Sequence, residues 1–119
     1  MARDAPSIDA FGGGGFRLSG VWHAGSVLIL GDVARPWPVT ALDQVTPDAL
    51  AEVFAAGARE VEFVLLGTGA ANGLPPKALR ENLRLAGIGL EFMDTATAAR
   101  MYNVLTAEGR QLAAALIAV

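Results

Sequence analysis

The chain has 119 residues, with 9 basic and 12 acidic side chains, a formal net charge of −3 and no cysteine. This length fits one domain, because two separate cores of half the size would each be marginal. The 53% hydrophobic content excludes intrinsic disorder as the dominant state. Without cysteine, the chain has no disulfides, no thiolate nucleophile and no cysteine-based metal site. Since His23 is the single histidine, a metal site with two histidine ligands from one chain is also excluded.

Charge and hydropathy exclude further classes of protein. The excess of acidic residues and the single lysine, Lys77, argue against nucleic-acid binding through a basic face. The longest apolar stretches, Val61–Leu66 and Leu112–Val119, are far shorter than the roughly 20 residues that span a bilayer. The first six residues lack the apolar core of a signal peptide. We therefore expect a cytoplasmic protein with no transmembrane segment, no metal and no cofactor.

The glycine run Gly12–Gly15 divides the chain into an arm and a domain. Glycine has high backbone entropy and no side chain to pack. Residues 1–15 are therefore predicted to form a flexible N-terminal arm, and residues 16–119 a single α/β domain.

The domain is predicted to open with a β-hairpin. Its strands are Phe16–Trp22 and Ser26–Leu30, and the connection over 23–25 ends in glycine, as suits a hairpin with a left-handed residue. His23 is expected to be exposed in this turn. Two prolines flank Trp37, so residues 34–38 are predicted to be an extended loop. The tryptophan is either a lid over the core, which its size favours, or an exposed contact residue.

Helices and strands alternate through the rest of the chain. The predicted elements are a helix from Thr46-Pro47 to Gly57, a strand over Val61–Leu66, a helix over Pro76–Ala86, a strand over Ile88–Met93 and a helix from Asp94-Thr95 to Ala107. Met101, Val104 and Leu105 are predicted to form the core face of the last helix. Residues 111–119 fit either a strand or a helix. The alternation predicts an α/β domain with a mixed sheet.

The turn Gly67-Thr68-Gly69 directly follows a predicted buried strand. In open α/β sheets, ligands bind beyond the carboxyl ends of parallel strands, and glycine there lets the backbone approach a phosphate. A dinucleotide fingerprint would need a third glycine at the position of Asn72, and no Gly-Lys-Ser/Thr follows, so a phosphate-binding loop is excluded. The turn fits two roles, part of a ligand site or a tight turn that needs a positive φ.

Further polar residues lie at the start of the last predicted helix and within it. Asp94 and Thr95 lie at the end of the neighbouring strand, where Asp94 fits a helix cap, a ribose ligand or a general base. Arg100, Tyr102 and Asn103 are expected to form a polar patch away from the core face. No catalytic set and no metal ligands are recognised. The candidate ligand or partner site comprises Gly67, Thr68, Gly69, Asp94, Thr95, Arg100, Tyr102 and Asn103.

Short motifs along most of the chain match a known family pattern in order. They include Leu66-Gly67-Thr68-Gly69, Gly87-Ile88, Met93-Asp94-Thr95, Tyr102-Asn103-Val104-Leu105 and Glu108-Gly109-Arg110. Over about residues 10–119 the chain resembles the domain-of-unknown-function family that includes the mitochondrial NADH dehydrogenase (complex I) assembly factor three and an adipogenesis-associated protein. The resemblance implies a compact three-layer α/β domain with a central mixed sheet, in which Gln111–Ile117 is a strand.

The resemblance implies protein binding, and it carries no established catalytic residues. Mitochondrial members resemble assembly factors that bind other proteins near the inner membrane. We therefore predict a protein-binding module, an assembly factor for a respiratory or other membrane complex. It is expected to have protein partners, to reach a membrane only through a partner, and to be a monomer or weak dimer. The alternative is a small-molecule- or nucleotide-binding protein or enzyme with its site around Gly67–Gly69 and Asp94.

Overall fold

A computed structural model describes residues 5–119, which contain eight strands and three α-helices. The strands are β1 (Ile8–Gly12), β2 (Gly15–Leu18), β3 (Val21–Ala24), β4 (Ser26–Leu30), β5 (Val33–Trp37), β6 (Phe63–Gly67), β7 (Gly89–Met93) and β8 (Leu112–Leu116). The helices are α1 (Ala51–Ala56), α2 (Lys77–Leu85) and α3 (Thr95–Ala107), and 3₁₀ turns at Leu42–Gln44 and Asp48–Leu50 precede α1. The predicted α/β class with a mixed sheet and three helices is confirmed.

The five-stranded central sheet is mixed, with the strand order β5-β4-β8-β6-β7. β6 pairs in parallel with β7 and β8, whereas β4 is antiparallel to β5 and β8. The central strand β8 has the sequence Leu-Ala-Ala-Ala-Leu and is buried throughout. Residues 111–119 therefore contain a strand, as the family resemblance implies. Small alanine side chains here let both outer layers approach the sheet closely.

Alternate residues of the central strands face two separate hydrophobic cores, which gives three layers. The first core lies between the sheet and α1 and α2, and the second lies between the sheet, α3 and a small three-stranded sheet of β1, β2 and β3. Trp37 is buried in the first core, and its indole N–H donates to the carbonyl of Ala49 at 2.9 Å. The predicted core position of Trp37 is confirmed.

The N-terminal segment is ordered earlier than the sequence indicates. Residues 8–12 form β1, which pairs antiparallel with β2, and Ile8 is buried in the second core. Gly13 and Gly14, with φ of 62° and 85°, are the two central residues of the turn between these strands. Both positions of such a tight hairpin turn need a positive φ, which glycine supplies. The prediction of a flexible arm is therefore corrected for residues 8–15, and its first four residues lie outside the described range.

The predicted pairing of residues 16–22 with Ser26–Leu30 is wrong, because the hairpin forms between β2 and β3. β2 and β3 are joined at Ser19-Gly20, where φ is 47° and 82°, so the expected single strand over 16–22 is two strands. β3 and β4 do not pair, because Gly25, with φ of 81°, redirects the chain from the small sheet into the central one. His23 accordingly lies within β3 instead of a turn. The sequence interpretation overlooked Ser-Gly as a turn signal.

The proline-rich segment is a strand and not the loop that was predicted. Val33–Trp37 pairs with β4 along its whole length as β5. Proline is compatible with this position because β5 is an edge strand. No strand lies on its outer side, so no hydrogen bond to a neighbour there is lost through the missing N–H of Pro36.

Two leucines of α2 provide a matched test of the first core. Leu79 is fully buried, whereas Leu85 is 72% exposed. We expect Leu79→Ala to lower the free energy of unfolding by about 2–5 kcal/mol, because it leaves a cavity in a close-packed core. Leu85→Ala should change it by less than about 0.5 kcal/mol. Urea denaturation of both variants measures the difference, and equal losses would contradict the assignment of this face of α2 to the core.

Candidate functional site

Thr95 joins three elements where β6 and β8 end. Its Oγ1 accepts a hydrogen bond from the Gly69 N–H at 2.9 Å and donates one to the Ile117 carbonyl at 2.7 Å. The Thr95 N–H in turn donates to the Gly69 carbonyl at 2.9 Å, and the side chain is fully buried. We call this arrangement the Thr95 clip. It ties the turn after β6 to the first residue of α3 and to the segment after β8.

The Gly67-Thr68-Gly69 turn is packed closely against this clip. A Cβ on Gly67 would lie 2.9 Å from Thr95 Oγ1 and 3.1 Å from the Leu116 side chain, so only glycine fits there without displacement. Thr68 is buried, its N–H donates to the Met93 carbonyl at 2.8 Å, and its Oγ1 lies 2.9 Å from the Ala71 carbonyl. Gly69 has a φ of 112°. The N–H groups of Thr68 and Gly69, the Thr68 hydroxyl and the Gly69 carbonyl thus make hydrogen bonds within the domain.

Asp94 is the N-cap of α3. Its Oδ1 accepts a hydrogen bond from the Thr97 N–H at 2.9 Å, and the Thr97 hydroxyl lies 2.9 Å from Oδ2. These hydrogen bonds to Thr97 hold the pKa of the Asp94 carboxyl below its ordinary value, because they stabilise the charged form. The structure therefore brings Asp94 and Thr95 beside the glycine turn, as predicted for the ends of adjacent parallel strands.

The core face of α3 differs from the prediction. The buried residues of this helix are Thr95, Ala98, Ala99 and Tyr102, which recur at helical spacing and face β6, β8 and the small sheet. Met101 and Val104, expected in the core, are 37% and 52% exposed, whereas Leu105 is partly buried against the second core. The helix carries apolar residues on two faces, and its alanine face packs inward because short side chains allow a close approach to the sheet.

Tyr102 is fully buried, although the sequence places it at the edge of a polar patch. Burial raises the pKa of its hydroxyl to about 12, because the phenolate would lose its hydration. The hydroxyl has no hydrogen-bond partner among residues 5–119. Tyr102 therefore contributes mainly apolar surface to the second core, and Arg100 and Asn103 are not joined to it in one exposed polar patch.

Asn103 holds β1 in place through its side-chain amide. Its Nδ2 donates to the Ile8 carbonyl at 2.8 Å, and its Oδ1 accepts from the Ile8 N–H at 2.9 Å. This pair of bonds satisfies the backbone of one strand residue as a neighbouring strand would. Arg100 lies one turn earlier with its guanidinium carbon 5.7 Å from the centre of the Phe11 ring. Both residues of the predicted site thus contact the small sheet, a role that the sequence interpretation missed.

An apolar groove of about 150 Å³ lies between α3 and the strands β6 and β7. Arg110 lies at its rim, held by hydrogen bonds to Glu62 and stacked over the Phe63 ring at 4.9 Å from its centre. The sequence patterns do not indicate this groove, because most of its lining residues lie in the predicted core strands or on the predicted core face of the last helix. We call it the α3 groove, and it is lined by Phe63, Leu65, Glu91, Met93, Met101, Leu105 and Arg110.

Two kinds of site are absent from the part of the chain that the structure describes. Over residues 5–119, no group of three or more histidine, aspartate or glutamate side chains could hold a metal ion. No helix in this range is long and apolar enough to cross a membrane.

Comparison with known proteins gives a match that covers most of the chain. Residues 8–117 match a family described as a protein of unknown function (DUF498/DUF598). An uncharacterized protein of Rhodobacter capsulatus is 41% identical over 92% of this chain and 82% of its own length. The human NADH dehydrogenase (ubiquinone) 1 alpha subcomplex assembly factor 3 is 30% identical over 98% of this chain. The match spans 62% of that human protein.

Solved structures of related bacterial proteins share the fold. A crystal structure of an outer membrane protein from Bartonella henselae is 32% identical, with a TM-score of 0.88, and covers 100% of this chain and 99% of that one. The NMR structure of a Rhodopseudomonas palustris protein is 40% identical, with a TM-score of 0.82, and covers 100% of this chain and 90% of that one. The fold predicted from the resemblance is thereby confirmed.

The Thr95 clip can be tested by removing one hydroxyl. Thr95→Val preserves the shape of the side chain but leaves the buried Gly69 N–H and Ile117 carbonyl without this partner. We expect the free energy of unfolding to fall by about 1–3 kcal/mol. Thr95→Ser retains the hydroxyl and should lose less. Denaturation curves that rank the valine variant as the more stable of the two would contradict the role of the hydroxyl.

The Asn103 contact predicts a local effect on β1. Asn103→Ala removes both hydrogen bonds to Ile8, so we expect the Ile8 amide to exchange with solvent about tenfold faster or more. Asn72→Ala, in an exposed loop, is the control and should leave that rate unchanged. Hydrogen exchange followed by NMR measures both. An unchanged Ile8 rate in the Asn103 variant would show that β1 is held by other contacts.

Proposed function

This chain belongs to the DUF498/DUF598 family of proteins of unknown function. From the names of its relatives and from its exposed surface, we propose that it is a non-catalytic protein-binding module that assists the assembly of a membrane complex. The human relative and its counterparts in zebrafish, cattle, rat and mouse carry the name of an assembly factor and are 29–32% identical to this chain. This chain spans 59–65% of their lengths. The proposal therefore concerns the domain that they share.

The exposed apolar face of α3 is the observation that supports protein binding most directly. A helix that is apolar on two faces is normally buried on both. Here only the face with Ala98 and Tyr102 is covered, whereas Met101 and Val104 are exposed beside the α3 groove. An exposed apolar surface beside a groove is typical of a site for another protein.

The rim of the α3 groove adds charges of both signs. Glu91 lies on the β7 side, and Arg110 is fixed by Glu62 and by the Phe63 ring. An apolar centre with a polar rim is the common anatomy of protein interfaces, and the rim charges favour one orientation of the bound partner. In this proposal the module has a protein partner, a cytoplasmic location and membrane contact only through that partner.

A charge placed on the exposed face of α3 tests the proposal. We expect Val104→Asp to weaken partner binding by about tenfold or more, because an aspartate cannot be buried unpaired in an apolar interface. Val33→Asp is the matched control, since Val33 on β5 is also exposed (44% against 52%) and lies away from the groove. Both variants should unfold within about 1 kcal/mol of the unaltered protein.

The readout is the amount of assembled complex in cells of the source organism. A strain without the gene should contain less of one membrane complex on a native gel. Expression of the unaltered protein or of the Val33 variant should restore it, and the Val104 variant should not. A deletion strain with normal membrane complexes would contradict the assembly role. Full restoration by the Val104 variant would instead contradict the exposed face of α3 as the binding surface.

A further inference from the structure

The edge strand β3 lacks the features that normally prevent edge strands from pairing with another chain. It forms one side of the small sheet and pairs only with β2 within the described residues. Its sequence, Val21-Trp22-His23-Ala24, has no lysine, arginine, acid or proline. Its register with β2 is regular, with no bulge. Charges, prolines and bulges are the usual means by which proteins protect sheet edges.

The other three edge strands of the two sheets are protected. The outer side of β1 is held by Asn103 at Ile8. β5 contains Pro36 and Arg35, whose guanidinium lies 3.4 Å from Glu52. β7 contains the exposed Glu91. The open edge of β3 is therefore an exception among the edge strands of residues 5–119.

The hydrogen bonds at the end of β3 identify which of its backbone groups point outward. The Gly25 N–H donates to the Gly14 carbonyl at 2.7 Å, in the same register as the pair of His23 with Phe16. Hydrogen-bonded pairs alternate along an antiparallel ladder, so His23 bonds to β2. The N–H and C=O groups of Trp22 and Ala24 consequently point away from the sheet, toward solvent.

We propose that β3 pairs antiparallel with β3 of a second copy of this chain, about a two-fold axis at His23. This register places Trp22 opposite Ala24 of the second copy, and Ala24 opposite Trp22. The outward N–H and C=O groups of these residues then form four intermolecular hydrogen bonds. The two small sheets become one six-stranded sheet. The symmetric contact is closed, since each free edge is used once.

Side-chain size and charge both fit this register. A large tryptophan meets a small alanine on each side of the axis, and no charged pair is brought together on β3. The Trp22 ring already lies across β2, where a Cβ on Gly15 would be 2.6 Å from it, so it does not cover the edge. Two four-residue strands form a contact well below the about 1,200 Å² of stable complexes. We therefore expect a weak dimer, with a Kd between about 10 µM and about 1 mM.

Substitution of the residue at the axis gives a sharp test, because it meets its own copy there. His23→Glu places two carboxylates opposite each other, whereas His23→Gln has the same length without the charge. Sedimentation velocity over about 10 µM to about 1 mM measures the dimer. We expect the glutamine variant to dimerise within about threefold of the unaltered protein, and the glutamate variant at least about tenfold more weakly. Salt should restore part of that loss, since it screens the repulsion.

Amide exchange identifies the strand that is involved. As concentration rises, the Trp22 and Ala24 amides should become protected, while the Val21 amide, which faces β2, should not change. A protein that stays monomeric to about 1 mM would overturn the proposal, as would equal dimerisation of the glutamate and glutamine variants, or protection confined to another edge. The cellular assembly test with Val104→Asp uses a different surface, so either proposal can fail without the other.

Discussion

The hydroxyl of Thr95 is the contact on which the centre of the fold depends. Thr95 is the first residue of α3, and its hydroxyl makes hydrogen bonds both to the turn after β6 and to the chain after β8. These two strands are neighbours in the central sheet. One buried side chain therefore fixes the ends of both strands relative to each other and to the start of α3. Gly67 is the counterpart of this contact, because any side chain there would displace Thr95 or Leu116.

Helix α3 also connects the central sheet to the N-terminal part of the chain. Its alanine face packs against the central sheet, and Asn103 of the same helix makes hydrogen bonds to the backbone of Ile8. Two residues of the predicted ligand site, Arg100 and Asn103, thus contact the small sheet instead. The helix has one further face, with Met101 and Val104, that is partly exposed in the described chain and carries our proposal of partner binding.

The sequence was most informative where local signals determine structure. The N-cap at Asp94, the glycine at the end of α2 and the apolar runs of β6 and β7 predict their elements to within a few residues, because the determining groups are close in the chain. It failed where the deciding contact is remote. A run of four glycines suits a mobile arm and a tight turn equally, and what orders it includes Asn103, 95 residues from Ile8.

The face of α3 was misjudged for a different reason. Two sets of residues on this helix have the spacing of an apolar stripe, and hydropathy favours the set with the larger side chains as the core. The alanine-rich set is buried instead, because the distance between helix and sheet leaves room for small residues and one tyrosine. The candidate site was partly predictable in the same sense. Parallel strands bring Gly67 and Asp94 together, but the closure by Thr95 depends on its distant partner Ile117.

The position of β8 has a consequence for the order in which the protein can form. This strand is the last of the eight along the described chain, yet it lies in the middle of the central sheet, between β4 and β6. During synthesis, the β4–β5 pair and the β6–β7 pair can each form early, but both keep an unpaired inner edge until β8 leaves the ribosome. The nascent chain therefore exposes two apolar edges until the final insertion, and it needs protection at that stage more than the finished domain does.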